Sequence, residues 1–231
     1  ILQRKGPMPG SDLARVARLP AQTVSIIQRK LEKDGLLMRG APVRGKVGKP
    51  SIPMELAPDG VFSLGVNIGR RSTKIVLMDF TGAIRAECKT TFQYPLPANI
   101  FSFLKVGIAE LSSSLPIAHQ DRICGIGIAA PFELWNWHEM VGASTEEFAQ
   151  WKDVNFPQEV AEFSDLPVHV VNDATAACRA EHVYGRGKEF RDYAYFFVAA
   201  FVGGGIVLNH SVYEGHQGNA GALGSLRSVG P

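Results

Sequence analysis

Gln22, Thr23 and Ser25 place three hydrogen-bonding side chains within about one helical turn, and Arg29 follows four residues after Ser25. A glutamine can pair with adenine through two hydrogen bonds, and hydroxyls reach either base edges or phosphate. A guanidinium such as that of Arg29 suits phosphate. Further along, Arg44, Lys46 and Lys49 punctuate a Gly/Pro-rich stretch. Cations on such a loop tip can meet phosphates or enter a minor groove. The charge distribution agrees. Residues 1–60 hold eleven Lys and Arg against five Asp and Glu, whereas 61–231 hold thirteen against seventeen. A basic head on an acidic body suggests a polyanion-binding module joined to something else.

These side chains need a scaffold. Ser11, after Pro9-Gly10, is expected to cap a helix that turns Leu13, Val16 and Ala17 inward. Leu19-Pro20 breaks it. A second helix is expected over 21–34, with Val24, Ile27 and Leu31 as its buried stripe and Gly35 just past its end. Residues 36–39 read as a strand, 40–50 as a loop and 51–56 as a returning strand. Two short helices and a hairpin with a basic tip predict a winged helix-turn-helix over 1–60, its second helix lying in a major groove. The same residues also fit a small helical domain that packs on the body or binds a protein.

From Phe62 the pattern changes. Strands are expected at 63–68, 74–79, 83–92, 123–128, 168–171, 193–200 and 205–208. Helices are expected at 99–115 and 174–183, the first burying Ile100, Phe103, Leu104, Ile108 and Leu111. This is an α/β pattern with a mixed sheet. Phe132, Trp135, Trp137 and Trp151 are expected to pack in the core or a dimer contact rather than stack on a sugar. No apolar run approaches the roughly 18 residues of a membrane span, and no leader pattern opens the chain, so a cytoplasmic protein is expected. Cys88, Cys124 and Cys178 form no CxxC pair and are expected to be buried thiols, with no metal site. Gly125-x-Gly127-x-x-Ala130 formally fits a dinucleotide fingerprint, but Pro131 follows at once and no acidic partner sits on a clear second strand. No nucleotide P-loop, zinc-protease helix or serine-hydrolase elbow occurs.

Five segments together resemble the ROK family (repressors, open reading frames and sugar kinases). Gly65-Val66-Asn67-Ile68-Gly69 with Thr73-Lys74 resembles its first phosphate loop, and Gly125 to Pro131 resembles the strand and loop beside the sugar. Asn172-Asp173-Ala174 with Ala176-Ala177 and Glu181 resembles the Asn-Asp motif. Gly203-Gly204-Gly205-Ile206-Val207 resembles the second phosphate loop, and Gly215 with Gly218 to Gly221 and Gly224 resembles the sugar segment. Gly48-Lys49-Pro50 is similar to the wing of the regulator branch. The resemblance implies an actin/hexokinase-like lobe over 61–231, with Ala130, Asn172, Asp173, Asn219 and Gly221 at a ligand. It puts Asp173 in the place of a catalytic base and Asn172 on a sugar hydroxyl. The alternative is a plain helix cap, with Asp173 capping 174–183.

The departures from the family pattern matter for chemistry. The kinases carry Asp where this chain has Asn67, a Gly-rich turn where it has Arg70-Arg71-Ser72, and a Gly-Thr-Gly lead where it has Ala200-Phe201-Val202. Ala222 and Ser225 stand where a sugar-holding Glu and a His are usual. The chain reaches Pro231 before the family's zinc motif and its adenosine lobe, so the lobe is read as truncated, with no cofactor of its own. The expected function is a DNA-binding regulator, a repressor of carbohydrate genes, responding to a sugar or sugar derivative. Its expected partners are operator DNA and a second copy of itself. An ATP-dependent sugar kinase with an N-terminal extension is the second reading. An interaction module that binds a phosphotransfer protein is the third.

Overall fold

The computed structural model describes residues 1–43, 50–137, 144–198 and 202–225. Arg44, Lys46, Lys49, Ala200 and Phe201 lie outside these, as do the side chains of Trp137 and Ser225.

The first elements are α1 (Leu2–Lys5), α2 (Gly10–Ala17), α3 (Ala21–Lys33), β1 (Leu37–Arg39) and β2 (Met54–Leu56). Helix α2 starts earlier than the sequence suggested. Pro9 is its N-cap, and the Pro9 carbonyl accepts from the amides of Asp12 and Leu13. Ser11 is therefore an exposed first-turn residue and caps nothing. Arg18 turns left-handed at φ 54° to end α2, and Gly35 does the same at φ 73° beyond α3. Leu13, Ala14, Val24, Leu37 and Met54 close a small core, with Leu2, Met8, Leu31 and Leu56 around it. Ile27 was expected in that stripe but is only half covered, because it lies on the shoulder of the α3 apolar face. Strands β1 and β2 pair antiparallel, Leu37 opposite Leu56, and Met8 bridges to Met54 from the other side. The returning strand is shorter than expected. Pro53 has no N–H to give the ladder, although its carbonyl accepts from Gly40, and Val43 and Ser51 meet in a separate bridge.

The remaining elements build two sheets and the helices around them. They are β3 (Phe62–Ile68), β4 (Ser72–Asp79), β5 (Ile84–Thr91), α4 (Pro97–Ser113), α5 (Ile117–Gln120), β6 (Ile123–Ala130), α6 (Thr145–Ala149), α7 (Phe156–Ala161), β7 (Val168–Asn172), α8 (Asp173–Tyr184), β8 (Tyr193–Val198), β9 (Val202–Leu208) and β10 (Ser211–Tyr213). The main sheet runs β5-β4-β3-β6-β7, with β3, β4 and β5 an antiparallel meander and β6 and β7 parallel to β3. In β3, Phe62, Leu64, Val66 and Ile68 face a core shared with Ile75, Leu77, Ile126 and Ile128. Helix α4 covers that face with Ile100, Leu104, Ile108 and Leu111, and Pro97 opens it where no N–H is needed. Trp151 packs in the same core and donates its indole N–H to the Pro95 carbonyl at 2.7 Å. The short α1, α6, α7 and β10 carried no pattern long enough to read in the sequence. Of the three thiols, Cys178 is buried and Cys88 half-buried, but Cys124 is exposed, because the alternation of β6 turns it away from the core that Ile123 enters. No described helix is long and apolar enough to cross a membrane.

The segment leading into β3 is clamped to the sheet by charge. Asp79, 4% exposed, accepts from the Thr81 amide and hydroxyl (2.9 and 2.7 Å) and from the Ala83 amide (3.1 Å). Arg85 bridges Asp79 at 3.1 Å and Asp59 at 2.5 Å, and Arg122 donates to the Asp59 carbonyl. Burial by itself would raise the Asp79 carboxyl. The Thr81 hydroxyl, the Ala83 and Thr81 amides and Arg85 outweigh it and hold the group below the usual carboxylate range. A depressed folded-state value stabilises above the unfolded value and is lost as pH falls through the folded one. Asp79→Asn should therefore cost about 2 kcal/mol near neutral pH. The gap to the parent should close as denaturation midpoints are taken below about pH 4. A pH-independent gap would show that charge plays no part.

Candidate functional site

Parallel pairing decides where the chemistry gathers. Because β3, β6 and β7 run the same way, their carboxyl ends open on one edge, with Asn67 level with Ala129 and Ala130 level with Asn172. Ligands of open α/β sheets bind at that edge. A cleft of about 580 Å³ lies there, lined by Asn67, Gly69, Arg70, Phe132, Glu133, Asn136, Asn172, Asp173, Gly203, Asn219, Gly221 and Ala222, among others.

Asn172 ends β7 and is itself the N-cap of α8. Its Oδ1 accepts from the amides of Ala174 (3.1 Å) and Thr175 (3.2 Å). The cap is thus Asn172 rather than Asp173, because the residue with extended backbone precedes the first helical one. Asp173 is that first helical residue. Its Oδ1 accepts from the Ala174 amide (2.8 Å) and from Asn172 Nδ2 (3.1 Å). Among the described residues its second oxygen has no hydrogen-bond partner. The carboxylate sits at a positive helix end and can accept from a ligand hydroxyl.

Asn219 and Gly221 enter from the segment after β10. A Cβ on Gly221 would lie 2.0 Å from the Gly204 carbonyl oxygen, so this glycine serves a backbone contact with β9. Gly203, Gly204 and Gly205 were expected in a phosphate loop, but they lie inside β9. The absence of side chains at Gly203 and Gly205 lets β9 press on α8 at Ala174 and Cys178, where a Cβ would come within 2.9 and 2.4 Å. Ala130 is outside the main cleft. It lines a neighbouring recess of about 340 Å³ with Trp135, Phe156, Glu214 and Gln217, and the two share Pro131, Phe132, Glu133 and Asn172. Phe132, expected in packing, is 50% exposed at that junction.

The sequence reading missed Arg70, Glu133 and Asn136 as cleft residues. Glu133 holds a left-handed backbone, φ 51°, and accepts from Asn136 Nδ2 at 2.8 Å. Nothing in its residue type announces that conformation; only its place just after Pro131 could have. Among the described residues, the carboxylates lining the cleft are Glu133 and Asp173, and the cation is Arg70. Asn67 and Ala222 line it too, and both are uncharged.

On the head, Gln22 and Thr23 are exposed at the start of α3. Ser25 is half-buried. Arg29 folds back over it, donating from Nη2 to the Ser25 hydroxyl (3.1 Å) and from Nε to its carbonyl (3.3 Å). Lys30 and Lys33 extend the exposed side of α3 beyond the residues singled out from sequence, and so does Ile26.

A family model described as "ROK family" matches residues 63–228. The chain belongs to the ROK family. This ROK chain is 22% identical over 223 residues to the xylose repressor of Bacillus subtilis, covering 96% of the chain and 57% of that repressor. It is 28% identical over 170 residues to the glucokinase of Streptomyces coelicolor, covering 72% of the chain and 50% of that kinase. The crystal structure of a ROK family transcriptional regulator, a homolog of the Escherichia coli MLC protein, superposes with a TM-score of 0.68 at 24% identity, covering 99% of this chain and 57% of that one. That likeness shows the fold. The chain spans little more than half the length of the curated relatives it matches.

The dual position of Asn172 has a measurable consequence. Asn172→Ala removes the α8 cap and should cost about 1 kcal/mol in urea denaturation, whereas Asn172→Ser, which keeps a capping oxygen, should stay within a few tenths of the parent. Equal losses in the two variants would show that the cap carries no weight.

Proposed function

We propose that this ROK chain is a DNA-binding transcription regulator, a repressor of carbohydrate-related genes, whose body senses a sugar or sugar derivative. Residues 1–60 act as a winged helix-turn-helix and 61–231 as the sensing domain. The separate apolar clusters of the head and of the body favour this division. In this reading Gln22, Thr23 and Ser25 face base edges, Arg29 and the cations Arg44, Lys46 and Lys49 meet phosphate, and two copies bind one operator in the cytoplasm.

The observation that carries the reading is the path of α8. Its N-terminus, Asn172 and Asp173, lines the cleft. Its C-terminus meets the head. Tyr184 lies over Gly82 and lines a recess with Leu2 and Gln3 of α1. Nearby, buried His182 bonds the Tyr193 hydroxyl (3.2 Å) and the His210 carbonyl (2.9 Å), and Arg4 bonds the His210 ring (3.0 Å). A ligand that draws on the free Asp173 oxygen loads one end of a rigid rod whose other end holds α1. Two placements of the head then differ in DNA affinity, and the ligand favours one of them. The uncharged Asn67 and Ala222 favour sensing over phosphoryl transfer, and the reading includes no ATP or zinc.

The retained Asp173 is what favours the second reading, an ATP-dependent sugar kinase. The full chain with DNA selected from a random pool separates them. Binding should weaken linearly in log K against log salt, and replacing Lys46 and Lys49 with Ala should lower that slope by about two. Gln22→Ala should cost about 1–3 kcal/mol on selected DNA and little on unrelated DNA. ATP consumption on adding glucose or xylose, abolished by Asp173→Asn, would overturn the regulator reading in favour of the kinase.

The rod has its own test. Tyr184→Ala should leave xylose or glucose binding, read by calorimetry, within about twofold of the parent, while the sugar no longer changes DNA affinity. Retained sugar-dependent release in this variant would remove α8 from the mechanism.

A further inference from the structure

The exposed side of α3 carries an apolar group that the assigned hydrogen-bonding residues do not explain. Ile26 is 58% exposed. At about 100° per residue, Gln22, Ile26, Arg29 and Lys33 fall on one stripe of the helix about 60° wide, with Ile26 on the edge nearest Lys30. Thr23 and Lys30 flank the stripe on one side and Ser25 on the other. The other exposed isoleucine of α3, Ile27, differs, because it lines an apolar recess between α3, α2 and α1 with Leu2, Leu13 and Val24. Ile26 is not part of that recess. It is a β-branched side chain held in water between a glutamine and three cations.

That surrounding charge selects the occupant. A protein surface matching Arg29, Lys30 and Lys33 would have to be strongly acidic and still offer an apolar pocket among those charges. The major groove of DNA supplies both at once. Its walls are phosphates, and its floor presents one apolar group, the C5-methyl of thymine. We propose that Ile26 is a specificity-determining residue that packs on a thymine methyl. The proposal rests on the DNA-binding reading of the head and adds to it a base that this helix selects.

Geometry narrows it further. Residues 22 and 26 are separated by about 6 Å along the helix axis, and base pairs by about 3.4 Å. An adenine read by Gln22 and the thymine met by Ile26 should therefore lie one to two base pairs apart. Arg29 and Lys33, further along the stripe, then fall where the helix leaves the groove and meets backbone phosphate. The Arg29 contact to Ser25 keeps that guanidinium on the stripe before DNA arrives.

The test uses the full chain and a duplex selected from a random pool. Each thymine of the bound site is replaced in turn by deoxyuridine, which lacks only the methyl group. The parent should lose about threefold to fivefold in affinity at one thymine per half-site, the worth of one buried methyl. Ile26→Ala should bind thymine and deoxyuridine duplexes equally at that position, with unrelated DNA bound as by the parent. Thermal unfolding should be unchanged, since the side chain is outside the core. If Ile26→Ala keeps the parent's preference for thymine, the inference is overturned while the DNA reading stands. If the variant instead shifts the oligomeric state and leaves the preference intact, the residue is a protein contact and the inference fails. If the parent binds no DNA at all, the DNA reading falls and takes the inference with it.

Discussion

The parallel pairing of β3, β6 and β7 is the constraint on which the rest of this ROK chain depends. Parallel strands cannot be joined by tight turns, so α4 and the long connection from Pro131 to Pro167 must cross over the sheet. Each crossover leaves its strand at the same edge. Asn67, Ala130 and Asn172, far apart in sequence, end as neighbours there because hydrogen-bond register allows nothing else. An antiparallel β7 would carry Asn172 and Asp173 to the opposite edge and leave no cleft.

The second constraint is how closely β9 approaches α8. Side chains at Gly203 or Gly205 would collide with Ala174 and Cys178, and one at Gly221 would collide with the Gly204 carbonyl. Small residues therefore determine the width of the cleft, while polar residues on separate elements determine its chemistry. This explains why a glycine run that resembles a phosphate-binding turn lies in a strand. The same absence of Cβ atoms that would let backbone approach phosphate here lets backbone approach a helix.

The head and body meet through a few specific contacts. The Asp59–Arg85–Asp79 cluster and Arg122 hold the linker, and Tyr184 and His210 receive α1. A small set of polar contacts can exist in two arrangements more readily than an apolar core can. In the proposed reading, that is the property wanted at the joint between the sensing body and the DNA-binding head. That joint lies at the far end of α8, one unbroken hydrogen-bonded element away from the cleft.

The sequence by itself determined the types of the longer elements. Apolar alternation at 62–68 and 72–79, the helical repeat at 100–111, and the Pro and Gly punctuation around α2 and α3 are local properties, set by backbone preference and burial. It also named Asn172, Asp173, Asn219 and Gly221, all of which the fold brings to one cleft. Tertiary structure decided the rest. It moved the cap of α8 from Asp173 to Asn172, took Ser11 out of its capping role, set Ala130 beside the cleft rather than in it, and exposed Cys124 and Ile26. It alone added Arg70, Glu133 and Asn136 to the cleft and set Tyr184 beside Gln3. The physical reason is common to all of these. Helix and strand periodicity is written in neighbours along the chain, whereas exposure, capping and contact depend on which distant backbone segment arrives alongside. That is fixed by sheet register and by the space that glycines leave open.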